Sequence, residues 1–292
     1  MGPGIARRTL LTGTAASVIA LSACVSQTPA PPTGTPVAPE PATFADLVAE
    51  KPFYIAHRGG WRNWPEMTAF SYQQAVALPL VKAIEISVVL TADGVLVCSH
   101  DLTTTRLTGA PYAIARVPWA TLEPLLVTSA YTDDPSQPYR PLSKLDDVID
   151  HHIQSHVVFI EPKSADAVEP LKRKLVELNQ PTRTVWKQPI NQANFAWAKG
   201  RGYSTWGYAL DEPSHTGSRL RTLVADSRID MFGIEFKRDS AAVSELVDLA
   251  AAVGKTTVMT NVETPDQRRR ALGLGCRGLM TADIRNLPGI PI

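Results

Sequence analysis

The sequence predicts an α/β fold, a closed (β/α)8 barrel of the TIM type with a small insertion after the second strand. Three observations carry that expectation. Short apolar runs, which read as buried parallel strands, recur eight times and alternate with amphipathic stretches of helical period. The length of 292 residues suits a single barrel domain. One tight-turn signal, Thr91-Ala92-Asp93-Gly94, interrupts the alternation after the second run and marks a hairpin ahead of the insertion.

The chain divides into residues 1–23, 24–43 and 44–292. In the first segment Arg7 and Arg8 precede an uncharged stretch that ends at the small-residue site Leu21-Ser22-Ala23-Cys24. A segment of this kind is a targeting signal and stands outside the fold. It resembles a bacterial lipoprotein signal peptide with Cys24 as the lipidated first residue, and the paired arginines before Thr9-Leu10-Leu11 fit a twin-arginine export pattern. The apolar stretch is shorter than the roughly 20 residues of a membrane-spanning helix. The implied location is extracytoplasmic, with the membrane as a partner through a lipid on Cys24. The second segment is a Pro-rich tether, since residues 26–42 hold six of the 24 prolines.

The formal net charge is +1; Arg7 and Arg8 are the only charges before Cys24, so a chain cleaved there carries +1 less two, or −1. A near-neutral balance without a long basic run excludes nucleic acid as the main partner. Of the three cysteines, Cys98 and Cys276 lie in apolar runs, and the sequence leaves their pairing open.

Strands are expected over 53–57, 83–89, 157–161, 184–187, 204–209, 231–235, 256–260 and 278–281. Helices are expected over 66–78, 143–150, 165–178, 191–199, 240–253 and 265–274, the last opened by Pro265, which costs little in a first turn. The insertion covers 103–141, rich in Pro, Tyr and Trp, and shapes the rim of the barrel mouth.

Three apolar runs deliver ionisable residues: Phe53-Tyr54-Ile55-Ala56 to His57-Arg58, Lys82-Ala83-Ile84 to Glu85, and Val95-Leu96-Val97-Cys98-Ser99 to His100-Asp101. In a barrel, residues at the C-terminal strand ends converge on one mouth. Two imidazoles, a guanidinium and carboxylates gathered there suit acid/base work on a phosphate ester. Taken singly, a strand-end His is more often structural and a lone Glu or Lys solvated; the joint occurrence carries the reading.

The ordered set His57-Arg58-Gly59, Pro65-Glu66-Met67-Thr68, Ile84-Glu85, Thr91-Ala92-Asp93-Gly94 and His100-Asp101 with Arg106 resembles the glycerophosphodiester phosphodiesterase family. The resemblance continues through Pro141-Leu142-Ser143-Lys144-Leu145, Phe159-Ile160-Glu161-Pro162-Lys163 and Gly278-Leu279-Met280-Thr281. Met67 stands where the family has Asn, and Ser87 where it has Asp. Near the C-terminus, Met259-Thr260-Asn261-Val262 replaces the usual Trp-Thr-Val-Asn, and Ala282 stands where Asp is usual.

The resemblance implies a phosphoric diester hydrolase that cleaves small glycerophosphodiesters to sn-glycerol 3-phosphate and an alcohol. His57 and His100 are its implied acid/base pair, with Arg58 and Lys163 binding the phosphate. It further implies a divalent metal, Ca²⁺ or Mg²⁺, on Glu85 and Glu161. Glu66 is a further candidate ligand, with a competing reading as a helix N-terminal carboxylate. Ser87 shares a strand face with Glu85 and is a weak or lost ligand. Gly233-Ile234-Glu235-Phe236-Lys237 repeats the Glu-x-Lys pattern and brings Glu235 to the mouth. Trp61, Trp64 and Tyr208 line a pocket there or pack in the core. The alternative function is a barrel that binds phosphodiesters or envelope polyanions without turnover.

Overall fold

The computed structural model describes residues 42–128, 136–137, 139–192, 194–208, 218–235 and 240–288. The proposed signal segment, Cys24 and Lys237 lie outside the described residues. In chain order the strands are β1 (Phe53–Ala56), β2 (Val81–Leu90), β3 (Leu96–Cys98), β4 (Leu126–Val127), β5 (Arg140–Pro141) and β6 (Val157–Pro162). They continue as β7 (Thr184–Pro189), β8 (Ser204–Tyr208), β9 (Met231–Ile234), β10 (Thr256–Val262) and β11 (Gly278–Thr281). The helices are α1 (Phe44–Ala49), α2 (Ala69–Val76), α3 (Thr105–Thr108), α4 (Trp119–Leu122) and α5 (Asp146–His152). After them come α6 (Val168–Leu178), α7 (Phe195–Gly200), α8 (Ser218–Val224), α9 (Ser240–Ala252) and α10 (Pro265–Gly273).

The eight expected strands are β1, β2 and β6 to β11. They run parallel in the order β1-β11-β10-β9-β8-β7-β6-β2, and pairing of β1 with β2 closes the ring. Apolar residues fill both sides of each strand, as an all-parallel sheet covered by helices requires. Inside the barrel Phe53, Ile55, Val157, Phe159, Trp206 and Met231 form one cluster, joined by Leu47 of α1. Trp206 meets Phe159 edge to face at 5.4 Å. A second layer, including Tyr54, Ile84, Ile160, Trp186 and Leu171, lies between strands and helices. Gly233 on β9 makes room for Trp206, since a Cβ there would come within 2.5 Å of the indole nitrogen.

The expected hairpin is present, with β2 overshooting the barrel so that Val88, Val89 and Leu90 pair antiparallel with Cys98, Val97 and Leu96. Glu85 therefore sits in mid-strand rather than at a strand end. The insertion folds on the overshoot: Val89 and Val97 share a cluster with Leu107, Ile114, Trp119, Leu122, Val127 and Leu142.

Several helix boundaries differ from expectation; the helix expected from 143, for one, begins at Asp146. The helix expected from residue 66 begins at Ala69, because Thr68 and Ser71 cap each other's backbone, Ser71 N–H to Thr68 Oγ1 at 3.1 Å and Thr68 N–H to Ser71 Oγ at 3.2 Å. The helix expected from 191 begins at Phe195. The short helix α8 was not anticipated. The expected helix at 265 starts on Pro265 with a Thr264/Gln267 capping box. Cys98 and Cys276 are both free and buried.

Candidate active site

Alternation along the strands decides which side chains reach the mouth. Phe53 and Ile55, Ala83, Val157 and Phe159, and Val185 belong to the interior cluster, whereas Tyr54, Ile84, Val158 and Trp186 pack outward. The same period of two carries His57, Glu85, Ser87, Glu161, Lys187, Tyr208 and Glu235 inward, above the cluster.

Glu85, Glu161 and Lys187 form the centre of this layer, with 0%, 2% and 8% of their surface exposed. The Lys187 ammonium donates to Glu85 Oε1 at 3.0 Å and to Glu161 Oε2. Its Nζ also lies 5.0 Å from the Tyr208 ring and 5.6 Å from that of Trp206, within cation–π range. Ser87 Oγ donates to Glu85 Oε1 at 3.1 Å, and the Arg58 backbone N–H to Glu85 Oε2 at 3.1 Å. Lys163 Nζ donates to Glu161 Oε1 at 3.1 Å, as does the Tyr208 hydroxyl. Burial alone would raise both carboxyls, but Lys187 reverses this for each, with His57 and Arg58 assisting at Glu85 and Lys163 at Glu161, so both stay below the ordinary range. Burial would likewise discharge Lys187, but Glu161 and Glu85 hold it above the usual lysine value.

Beside this centre runs a second network. His57 opens a tight turn in which Arg58 adopts left-handed backbone angles, φ 51 and ψ 35. Gly59 follows with φ 76, and a Cβ there would lie 2.4 Å from Ser71 Oγ. The turn aims the Arg58 guanidinium at Glu66, Nη1 to Oε1 at 3.1 Å. Arg106 grips Glu66 with both Nη atoms at 2.8 Å and donates from Nε to Asp101 Oδ2 at 2.6 Å. Asp101 Oδ1 in turn pairs with His100 Nδ1 at 2.9 Å. Glu66 thus lies before the helix, bound by two guanidinium groups, and the helix-terminus reading of it is corrected. Burial lowers the pKa of both histidines, with Arg58 adding to the effect; His57 falls well below its ordinary value. His57 Nδ1 is buried and has no hydrogen-bond partner among the described residues.

Both histidines line one cavity of about 290 Å³ with Arg58, Glu161, Lys163, Lys187 and Tyr208. A second cavity of about 430 Å³ shares His57, Arg58, Glu235 and Asn261 and is bordered by Trp61. Asn261, itself left-handed at φ 54, donates from Nδ2 to Glu235 Oε1 at 3.1 Å. Trp61 and Tyr208 face the mouth; Trp64 is core, 3% exposed, under the Arg285 guanidinium.

The donor set does not suit a divalent ion. All four oxygens of Glu85 and Glu161 accept hydrogen bonds from the chain, and both oxygens of Glu66 accept from guanidinium groups. Among the described residues no three His, Cys, Asp or Glu side chains are grouped to hold a metal. Lys187 is the residue that sequence reasoning passed over. The signal was present, since it is the last residue of the expected strand 184–187 and an ionisable group at the end of an apolar run.

A family model described as the glycerophosphoryl diester phosphodiesterase family matches residues 57–209. Among solved structures the chain is similar to a glycerophosphoryl diester phosphodiesterase of Parabacteroides distasonis, with 16% identity, TM-score 0.65, and coverage of 84% of this chain and 91% of that one. It is similar to a glycerophosphodiester phosphodiesterase of Agrobacterium tumefaciens, with 16% identity, TM-score 0.63 and coverage of 80% and 98%. It is also similar to an Oleispira antarctica phosphodiesterase in complex with the product sn-glycerol-3-phosphate, with 21% identity, TM-score 0.63 and coverage of 80% and 94%. No curated protein matches the chain.

Proposed function

The chain belongs to the glycerophosphoryl diester phosphodiesterase family, and from that premise we propose that it hydrolyses glycerophosphodiesters to sn-glycerol 3-phosphate and an alcohol by His57/His100 acid–base catalysis. The observation that carries the proposal is the convergence of His57, His100, Arg58 and Lys163 on one cavity. Support for the substrate class comes from the Oleispira antarctica relative, whose structure holds sn-glycerol-3-phosphate.

A bound phosphodiester meets Arg58 and Lys163, whose positive charges stabilise the non-bridging oxygens as negative charge builds on them. Water attacks phosphorus, one histidine takes its proton, and the other gives a proton to the alkoxide that leaves as the P–O bond breaks. The Asp101 carboxylate on His100 Nδ1 stabilises the imidazolium that must form before Nε2 can donate, offsetting part of the lowering that burial imposes, and on this contact we assign His100 the acid role. His57, buried and held neutral, suits the base. Enzymes of this family generally depend on a divalent metal. No step here runs through one, because the donors of Glu85, Glu161 and Glu66 are already engaged.

We place the enzyme on the outer side of the cell membrane, exported through residues 1–23 and tethered by a lipid on Cys24 through the Pro-rich segment 24–43.

Turnover of glycerophosphocholine, read as release of sn-glycerol 3-phosphate, tests the reaction. His57→Ala and His100→Ala should each lower kcat by about 10²- to 10⁴-fold, with a less than additive loss in the double variant. Near-normal turnover in His100→Ala would remove the pair from the mechanism, and saturable substrate binding without turnover in the wild type would replace hydrolysis by binding.

A further inference from the structure

Lys187 sits where two buried carboxylates from neighbouring strands converge, and among the described residues it alone bridges them. Its Nζ donates to Glu85 at 3.0 Å and to Glu161, and the Tyr208 and Trp206 rings flank it. An oxygen-liganded cation shared by Glu85 and Glu161 would have to occupy the volume the ammonium fills, against the repulsion of a like charge. The neighbouring groups reinforce this. Ser87, fully buried, points a donor rather than a lone pair at Glu85 Oε1, and Tyr208 does the same at Glu161 Oε1. Lys187 also lines the cavity that holds His57, His100, Arg58 and Lys163.

We infer that Lys187 takes the place of a divalent cation in this barrel, so that the site offers its phosphodiester a positive charge carried by the chain itself and works without a metal ion. The ammonium has three protons, two of them engaged by Glu85 and Glu161, and the third is available to a non-bridging phosphate oxygen at the cavity. Lys187 thereby joins Arg58 and Lys163 around the phosphate. The two carboxylates hold the ammonium in position, which is their task in this chain.

The activity arm of the test rests on the hydrolase reading; the binding arm does not. In the first arm, protein stripped with EDTA and verified metal-free by mass spectrometry is assayed on glycerophosphocholine, then with CaCl₂ or MgCl₂ restored. Rates equal within about twofold are expected, and a rate that vanishes on stripping and returns with metal overturns the inference while leaving the hydrolase reading intact. Lys187→Met should lower kcat/KM by about 10²-fold or more, and added metal should not restore the wild-type protein beyond its stripped rate. In the second arm, Ca²⁺ binding is measured by calorimetry on wild type, on Lys187→Met with Ser87→Asp, and on that pair with Glu85→Gln. No saturable site is expected in the wild type. A site should appear in the double variant, which trades an ammonium for a third carboxylate, and weaken when Glu85 is neutralised. If the double variant folds only in calcium, the metal-dependent rise in its unfolding temperature reports the same new site. Wild type that binds Ca²⁺ and loses that binding on Glu85→Gln overturns the inference even if no substrate is ever turned over.

Discussion

Replacing Arg106 with Met should both destabilise the barrel and slow its chemistry, because Arg106 joins a buried carboxylate to His100, the histidine proposed as general acid. The guanidinium makes two 2.8 Å contacts to Glu66, whose side chain is 2% exposed, and one of 2.6 Å to Asp101. Removing one partner of a buried ion pair costs about 3–5 kcal/mol when the other charge is left uncompensated. Here Arg58 retains its 3.1 Å contact to Glu66, and Arg106 itself is 28% exposed, so the loss should be smaller. About 2–3 kcal/mol is expected, or roughly 4–10 °C in Tm for a domain of this size. Asp101 also loses what holds it below the ordinary carboxylate range: burial alone would raise its carboxyl, and hydrogen bonds from Arg106 and His100 reverse that. With Asp101 unanchored His100 drifts, and kcat should fall about 10-fold or more with little change in KM. The assays are urea unfolding and glycerophosphocholine turnover of Arg106→Met, Glu66→Gln and the pair. Neutralising Glu66 removes the charge that Arg106→Met strands, so the double variant should lose at least ~1 kcal/mol less than the sum of the singles. Strict additivity, or a single-variant loss under ~0.5 kcal/mol, would refute the coupling.

Stability should also fall in mild acid. Burial holds His57, His100, His152 and His156 below the ordinary histidine value, His156 down to about 4, so the unfolded chain binds protons first as pH falls. The contribution is full above pH 6.5 and is lost toward pH 4. For the partly exposed His156 it amounts to roughly 1–2 kcal/mol after solvent screening, and His156→Gln should flatten the pH dependence of urea unfolding by that amount. Cys24→Ala should release the protein from membranes with its Tm unchanged; a variant still in the membrane fraction would show that residues 1–23 anchor the chain themselves. Gly233→Ala should cost about 1–3 kcal/mol in thermal unfolding, because the new Cβ meets Trp206 at 2.5 Å, and Trp206→Phe should recover part of the loss.

The barrel and most of its mouth were legible because strand alternation is a local property. Once 53–57 and 157–161 read as buried strands, His57 and Glu161 follow onto the inner face from residue spacing alone. What spacing does not give is which residues meet across strands joined by a helical crossover, since that depends on register. The register pairs Ser87 with Glu161 between β2 and β6, and Ile160 with Trp186 between β6 and β7. Lys187 therefore stands level with Glu161, and Glu85 one inward position below. Helix ends were missed for a related reason: Glu66 favours a first helical turn by composition, but the mutual cap of Thr68 and Ser71 starts α2 later and frees Glu66 for the two arginines.

The register also gives the departure at Ser87 a meaning that it lacks when read alone. Three carboxylates around a divalent ion sum to a charge of −1. Ser87 removes one carboxylate, and a divalent ion on Glu85 and Glu161 alone would leave the centre neutral. With Lys187 in place of the ion, two carboxylates and one ammonium return the centre to −1. Buried charge tolerates little imbalance, so a serine at 87 with the ion retained, or a lysine at 187 with the third carboxylate retained, would each shift the field felt by His57 and the bound phosphate. Ser87 and Lys187 therefore belong together in this centre, the one withholding a negative charge and the other supplying the positive one.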